Sequence, residues 1–308
     1  MIERPTDVLS AFPVRKSKAQ KRAFRDEIQS YVSRLGYESR VEKGAFGANN
    51  LVIGDPENAR FLITAHYDTC ARMVVPNLIT PCNFFLFLGY QLFVALLLLL
   101  PGSVLGGAVA VLNSEAGFWT FFCVTYLGIF LMMFGPANPS NVNDNSSGVI
   151  TLLEIAGSLP ENQRKKACFV LFDLEEAGLL GSAAYRKAHK QTVNRQIVLN
   201  LDCVGDGEEI LLFPTGRLKK DKEKLSLLRP CCGRFGDRRV SLREKGFSIY
   251  PSDQASFPYG VGICALHRGK LGLYLSRIHT PKDTVLEKTN VNILRAGICT
   301  LVSQAPEE

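Results

Sequence analysis

Between Arg72 and Asp144 the chain carries one charged residue, Glu115. A stretch of that length cannot supply ordinary water-facing surface, which needs charged side chains over much of its area. Two runs dominate it: Asn83 to Leu100, NFFLFLGYQLFVALLLLL, and Gly117 to Gly135, GFWTFFCVTYLGIFLMMFG. Each approaches the roughly 20 residues that cross a hydrocarbon core about 30 Å thick. Both are apolar on every helical face, whereas a helix on a soluble core keeps a polar stripe. The segment between them, PGSVLGGAVAVLNSEA, opens on a Pro-Gly breaker. The expectation is a transmembrane helical hairpin over 83–135, inserted into one catalytic domain built from 1–82 and 136–308. The soluble alternative is a buried core hairpin or an apolar lid. A bend at Pro101 with continuation to Leu112 is the alternative course for the first span. A hairpin starts and ends on one side of a bilayer. Its tip has no Lys or Arg while the flanking domain is rich in both, so the positive-inside rule puts that domain on the cytoplasmic side.

The charge elsewhere narrows the partners. The chain has 308 residues and a net charge of +7. Residues 217–245 hold eleven Lys/Arg and four Asp/Glu, a surplus of 11 − 4 = +7 that equals the whole net charge. A second basic run lies at Arg15 to Arg25. Nucleic-acid binding would want stacking aromatics among such cations, and 217–245 offers only Phe235. A solvated face or attraction to anionic headgroups is the expectation, with no nucleic acid. The first residues contain no apolar h-region, so no secretory signal is expected. The nine cysteines are odd in number and show no CxxC spacing, which suits a reducing compartment. Cys231 and Cys232 are adjacent and cannot easily share one tetrahedral site.

Residues 17–35 place Phe24, Ile28, Tyr31, Val32 and Leu35 at helical spacing, with Gly36 as the stop. Short β-like runs follow in YESRVEK, NNLVIG and ARFLITAHYD. After the apolar stretch, SSGVITLLEIAGSL reads as a helix with a Ser N-cap, ACFVLFDLEE as a buried strand and LLGSAAYRKAH as a helix. QIVLNLD, EILLFPT, GICALHR and GLYLSRIH read as strands, 219–229 as helical, and NVNILRAGICTLVSQ as a terminal helix. The fold class is therefore α/β: a mostly parallel, mixed central sheet with helices on both faces. Ligand sites in such sheets lie at the carboxyl ends of the strands.

Several strand ends carry metal-type residues. FLITA runs into His66-Tyr67-Asp68, CFVLFDL into Glu175-Glu176, IVLNL into Asp202 and GLYLSRI into His279. The loop before the Ser-capped helix offers Asn143-Asp144-Asn145. Each alone is weak; five elements bringing carboxylates and imidazoles to one rim are not. The period of two along a strand puts His66 and Asp68 on one side, so Asp68 can fix the ring of a ligating His66. Glu175 and Glu176 are adjacent, so one can ligate while the other serves as general base. Three carboxylates with two imidazoles suit Zn²⁺.

This ordered set resembles the M28 family of zinc aminopeptidases. The motifs that carry the resemblance are His66-Tyr67-Asp68, the run NDNSSG from Asn143 to Gly148, EEAGLLGS from Glu175 to Ser182, Asp202, SDQASF from Ser252 to Phe257, and HTPKDT from His279 to Thr284. The resemblance implies a zinc-aminopeptidase-like fold and two zinc ions, with cobalt or manganese as possible occupants. In it Asp144 bridges the ions. Glu176 and His279 complete one site, and His66 and Asp202 the other. Glu175 is the general base and Asp68 orients His66. It also implies a cis peptide after Asp144 and a peptide substrate with a free N-terminus. Gln254 stands where many relatives have His, which the resemblance assigns to substrate contacts. His189 and His267 match no motif and read as a helix-end surface residue and a structural residue. Family members also include glutaminyl cyclases and inactive ectodomains, so a non-catalytic or cyclase-like member, or a membrane scaffold, is the alternative to a membrane-anchored aminopeptidase. Oligomeric state is not legible.

Overall fold

The computed structural model describes residues 2–75, 77–270 and 272–305. Helix α1 (Lys18–Arg34) begins at a capping box: Ser17 Oγ accepts from Gln20 N, and Gln20 Oε1 accepts from Ser17 N. Its spaced residues Phe24, Ile28, Tyr31 and Val32 are buried as expected. Ten strands form one sheet: β1 (Ser39–Lys43), β2 (Asn49–Ile53), β3 (Phe61–His66), β4 (Ala167–Phe172), β5 (Ile197–Leu201), β6 (Glu209–Pro214), β7 (Gly233–Phe235), β8 (Arg238–Leu242), β9 (Gly260–Gly269) and β10 (Gly272–Tyr274). Their order is β1-β2-β4-β3-β5-β9-β6-β8-β7, with β10 paired to β9.

The centre, β4-β3-β5-β9, is parallel, and both flanks bring in antiparallel partners. In the centre β3 pairs Phe61 with Ala167 through His66 with Phe172, so β3 and β4 end together. The same strand pairs Thr64 with Asn200, which leaves Asp202 just beyond that level. Fully buried strands need apolar residues on both faces, and alternate residues do go to opposite sides. Ile63, Phe169, Leu171, Leu199 and Leu201 join one core cluster with α1, α4 (Gly148–Ser158) and α6 (Lys288–Gln304). Leu62, Cys168, Val170, Phe172 and Val198 join the other with Tyr185 of α5 (Leu180–Ala188). The sheet is thus covered on both faces, as the sequence pattern implies.

Three local readings change or gain detail. Ser147 does not cap α4: it is itself helical, and its Oγ donates to the Asn143 carbonyl (2.7 Å), while Asn145 Oδ1 accepts the Gly148 N–H (3.0 Å). Residues 219–229 are helical as expected but in short pieces, Gly216–Lys220 and Lys222–Ser226, broken at Asp221, whose side chain caps the second (3.0 Å to Lys224 N). GLYLSRIH is a strand only to Tyr274. Leu275 pairs with Ile79 instead, and His279 has φ +60°, which no strand accommodates.

Helices α2 (Phe84–Ala110) and α3 (Ser114–Phe134) form the hairpin, with mean hydropathies of 2.3 and 1.8 over their most apolar windows. By length and composition both are able to cross a membrane. Only 11% of each window is buried, whereas the core helix of a soluble protein would be mostly buried. The Pro-Gly pair does not break the first helix. Pro101 lies inside α2, and the turn falls at Val111 to Asn113. A proline forfeits one backbone bond out of a 27-residue helix, a loss that long apolar helices tolerate. Asn83 and Asn113 supply the caps, accepting from Leu86 N (3.1 Å) and Ala116 N (3.0 Å). The helices meet through small residues: a Cβ on Gly106 would lie 2.8 Å from the Gly117 carbonyl oxygen, and one on Gly102 2.5 Å from Thr125 Oγ1. Small residues at these positions let the two helix backbones approach closely.

Candidate metal centre

The parallel centre of the sheet delivers His66, Asp68, Glu175, Glu176 and Asp202 to one rim, and two loops bring Asp144 and His279 to meet them. Asp144 stands between the two imidazoles. Its Oδ1 is 3.2 Å from His66 Nε2 and its Oδ2 is 3.0 Å from His279 Nε2. Each imidazole has a second carboxylate: Asp202 Oδ1 is 3.6 Å from His66 Nε2, and Glu176 Oε2 is 3.5 Å from His279 Nε2. Asp68 Oδ1 lies 3.5 Å from the other nitrogen of His66. All seven residues expected from the sequence therefore converge.

The supporting contacts explain the motifs. Asp68 accepts from Glu175 N (3.1 Å) and Glu176 N (3.3 Å) and so fixes the Glu-Glu turn, while the facing His66 Nδ1 makes no hydrogen bond among the described residues. Gly178 in that turn has φ +101°, which only glycine adopts without strain. Asp283 of HTPKDT accepts from the backbone N–H groups of Asn143 (2.7 Å) and Asp144 (3.0 Å) and so sets the Asp144 loop. The peptide between Asp144 and Asn145 is cis. Gly148 closes NDNSSG because a Cβ there would sit 2.3 Å from the Leu201 carbonyl oxygen. Arg15, fully buried, donates to the Tyr67 carbonyl (2.6 Å), Ser146 Oγ (3.1 Å) and Asn141 Oδ1 (3.2 Å), tying three segments together. Leu174, Cys203 and His279 hold φ between +57° and +60° beside Glu175, beside Asp202 and at the imidazole itself. Left-handed backbone at residues with a Cβ costs about 1–2 kcal/mol each and gathers at functional sites.

Burial lowers the proton affinity of His66, but the carboxylates of Glu175, Asp144, Asp202 and Asp68 outweigh it and hold its pKa well above the usual value. His279 behaves alike: burial opposes, Glu176 and Asp144 prevail, and its pKa is pushed up to about 9. Burial also acts on Asp144, but the two imidazoles overcome it and hold its carboxyl far below the ordinary range. Burial, with the charge of Asp144 adding and His279 opposing, pushes Glu176 up to about 8. Glu175 is raised well above a normal glutamate by burial, with His66 opposing and Glu176 adding. Burial opposes the ionisation of Asp68, yet the facing His66 keeps its pKa below normal. Asp253 and Asp283 are each pushed up to about 7, mainly by burial.

These shifts describe a buried rim with more carboxylates than cationic partners. Divalent cations relieve that excess, and two observations fit them. His66, Asp144 and Asp202 offer ligand atoms within 4.8 Å of one another, as do Asp144, Glu176 and His279 together with Cys70. Buried Glu176 Oε1 has no hydrogen-bond partner among the described residues. The N/O donors suit zinc. Cys70 was not legible as a neighbour of the site; it sits two residues past Asp68 in a loop that no motif covers. In the sequence Arg15 reads only as part of a basic run, because the Tyr67 carbonyl and Ser146 Oγ that it holds lie 52 and 131 residues away. Gln254 does not face the site as expected. It is buried, and its side chain is held by Asn200 and the Tyr250 carbonyl. His189 stacks on Tyr185 between Glu42 and Glu57, and His267 lies between Asp206 and Glu208, so both are structural. Cys231 and Cys232 are free thiols.

A cavity of about 250 Å³ opens over the rim. Beside His66, Asp144, Glu175 and His279 it is lined by Leu78 and Ile79 and by Phe87 and Gln91 of α2. The first turns of the apolar hairpin are thus a wall of the candidate site.

A ten-stranded mixed sheet with a carboxylate–imidazole cluster at its parallel rim defines a class of metallopeptidase-like folds, and the comparisons give it a family. The sequence model of Peptidase family M28 matches residues 132–300, and the chain belongs to that family. Among solved structures it is similar to the LapA aminopeptidase of Legionella pneumophila, at 14% identity over 97% of this chain and 68% of that one, with a TM-score of 0.55. It is also similar to the glutaminyl cyclase of Tannerella forsythia, at 15% identity over 98% and 96%, again with a TM-score of 0.55. At these identities the likeness is one of fold. No curated protein matches the sequence.

Proposed function

We propose that this M28 peptidase is a membrane-anchored, zinc-dependent aminopeptidase that removes N-terminal residues from peptides. One observation carries the metal reading: the two oxygens of Asp144 each face a different imidazole, and each imidazole is backed by a further carboxylate. That arrangement suits two cations sharing Asp144, one held with His66 and Asp202 and the other with Glu176 and His279. Cobalt or manganese would fit the same donors. Bound there, the ions would supply a Lewis acid for the scissile carbonyl and acidify the attacking water. Glu175 takes the proton of that water and returns it to the leaving amine. Its raised proton affinity suits a group that must hold a proton between those steps, and cations bound beside it would favour its carboxylate form. Asp68 faces His66 and holds the Glu175-Glu176 backbone in register. Asp283 does the same for Asp144 through two backbone N–H groups.

The anchor would be the hairpin 83–135 inserted into the domain 1–82 and 136–308, with that domain on the cytoplasmic side and the cavity mouth beside the bilayer. Glutaminyl cyclisation is the second reading, favoured by the near-complete mutual coverage with the Tannerella cyclase. Release of p-nitroaniline from aminoacyl-p-nitroanilides, abolished by a chelator and restored by zinc, is the expected result. Ammonia release from an N-terminal glutaminyl peptide without any hydrolysis would move the assignment to the cyclase. Replacing 92–134 with a short Gly-Ser linker, which keeps Phe87 and Gln91, should release the chain from carbonate-washed membranes. Retention there would end the anchor reading.

A further inference from the structure

Two cavities outside the candidate metal centre adjoin. One, of about 730 Å³, is lined by Arg72, Arg277 and Lys282 with Ser276 and Thr280. The other, of about 450 Å³, lies between the hairpin helices, against Leu97 and Pro101 of α2 and Gly128 and Leu131 of α3. Arg72, Met73 and Val74 line both. The first is cationic and the second apolar. The Arg72 N–H bonds the Pro136 carbonyl, just past the end of α3, so the shared wall sits where the hairpin leaves the domain. If the hairpin lies in a bilayer, that level is the headgroup layer. Val74 in the same loop is 95% exposed, as an apolar side chain at such a layer is free to be. Arg277 is partly neutralised by Asp206 (3.3 Å), while Arg72 and Lys282 are exposed.

The geometry points to a binding site for an anionic phospholipid. Its phosphate would sit among Arg72, Lys282 and Arg277, and an acyl chain in the groove between α2 and α3. A soluble anion would need only the first cavity and a neutral lipid only the second. Their adjacency, with Arg72, Met73 and Val74 common to both, selects a molecule with both parts. The site also touches the candidate metal centre: Thr280 follows His279 directly and Lys282 lies three residues past it, and the Met73 N–H bonds the His279 carbonyl (2.9 Å). This inference rests on the hairpin being in the membrane, and the test separates the two.

The full chain would be reconstituted in vesicles and floated, then extracted and examined by native mass spectrometry with phosphatidylglycerol or phosphatidylcholine supplied. The expected result is retained phosphatidylglycerol, preferred over phosphatidylcholine by about tenfold or more. The Arg72→Gln/Lys282→Gln variant should reduce that preference to near one, and Arg72→Lys/Lys282→Arg should keep it. Equal retention of the two lipids by a wild-type chain that floats normally would overturn the site and leave the anchor standing. Displacement of phosphatidylglycerol by millimolar glycerol 3-phosphate would also overturn it, since the headgroup pocket alone would then suffice. A chain that floats with no vesicle would overturn both readings.

Discussion

The rim and the hairpin invert the usual distribution of side chains in opposite ways. At the rim, ionisable groups are hidden: His66 is 1% exposed and Asp144 3%. On the hairpin, apolar groups are bare: Leu112 is 91% exposed and Leu100 61%. In a water-soluble protein both are costly, the first through desolvation of ionisable groups and the second through wetted hydrocarbon. Under the function proposed above each has an explanation, divalent cations in one region and lipid in the other. The two regions are adjacent, since Phe87 and Gln91 belong to the hairpin and line the cavity over the rim.

The sharpest way to break the comparison is to remove the residue on which the rim turns. Asp144→Ala takes away the carboxylate facing both imidazoles. If two cations share it, both Lewis-acid centres go, a loss of several kcal/mol in the transition state and on the order of 10³–10⁴-fold in kcat/KM. Metal content per chain, measured by elemental analysis, should fall from about two to about none. Unchanged metal content would mean that the buried charge at the rim is balanced in some other way. Glu175→Gln is the complement. It should lower kcat by about 10²–10⁴-fold while leaving metal content intact, because it removes the proton carrier and not a ligand. A parallel loss of metal would make Glu175 a ligand and shift the base elsewhere.

Much of the rim was legible because it is written at strand ends. FLITA and IVLNL read as buried strands, the parallel register carries their C-terminal residues to one level, and two motifs add Asp144 and Glu175-Glu176. What was not legible depends on long-range geometry. Asp283 lies in a quoted motif, yet its bonds to the Asn143 and Asp144 amides appear only when residues about 140 apart meet. Cys70 and Arg15 belong to no motif at all. His279 was expected at a strand end and is instead held by a loop in left-handed conformation, a choice made by the pairing of Leu275 with Ile79 rather than by local propensity. In the hairpin the composition was decisive and the punctuation misleading. Pro101-Gly102 looks like a turn, but Gly102 is where α2 meets α3 and the helix continues to Ala110.

A smaller effect sharpens the electrostatic half of the comparison. Burial raises the proton affinity of Glu176, and the neighbouring carboxylates raise that of His279, so protons compete for both groups near neutral pH. A cation binding there must displace them. Metal affinity should therefore rise with pH between about 7 and 9, by about tenfold per unit for each proton released. Isothermal titration of the chelated protein in buffers of different ionisation enthalpy reads this directly, as heat that scales with the buffer. Affinity independent of pH across that range would mean that the carboxylates and imidazoles are not competing with protons, and the rim would no longer need cations to explain its burial.

The smallest expected effect asks whether the two regions are separable. Gly106 packs where a Cβ would lie 2.8 Å from the Gly117 carbonyl oxygen and 3.0 Å from Phe121 Cβ. Gly106→Leu forces the hairpin helices apart, at a cost of about 1–3 kcal/mol. The site lies several turns away, toward the start of α2, where Phe84 and Phe87 pack on Phe247 of the domain (5.1 and 6.5 Å between ring centroids). That contact should insulate the cavity wall. Thermal stability in detergent should drop by several degrees while kcat/KM stays within about twofold, because the overpacking is confined to one end of the hairpin. A fall in kcat/KM comparable to that of Glu175→Gln would show that packing between the hairpin helices sets the shape of the cavity, making the hairpin part of the catalytic apparatus.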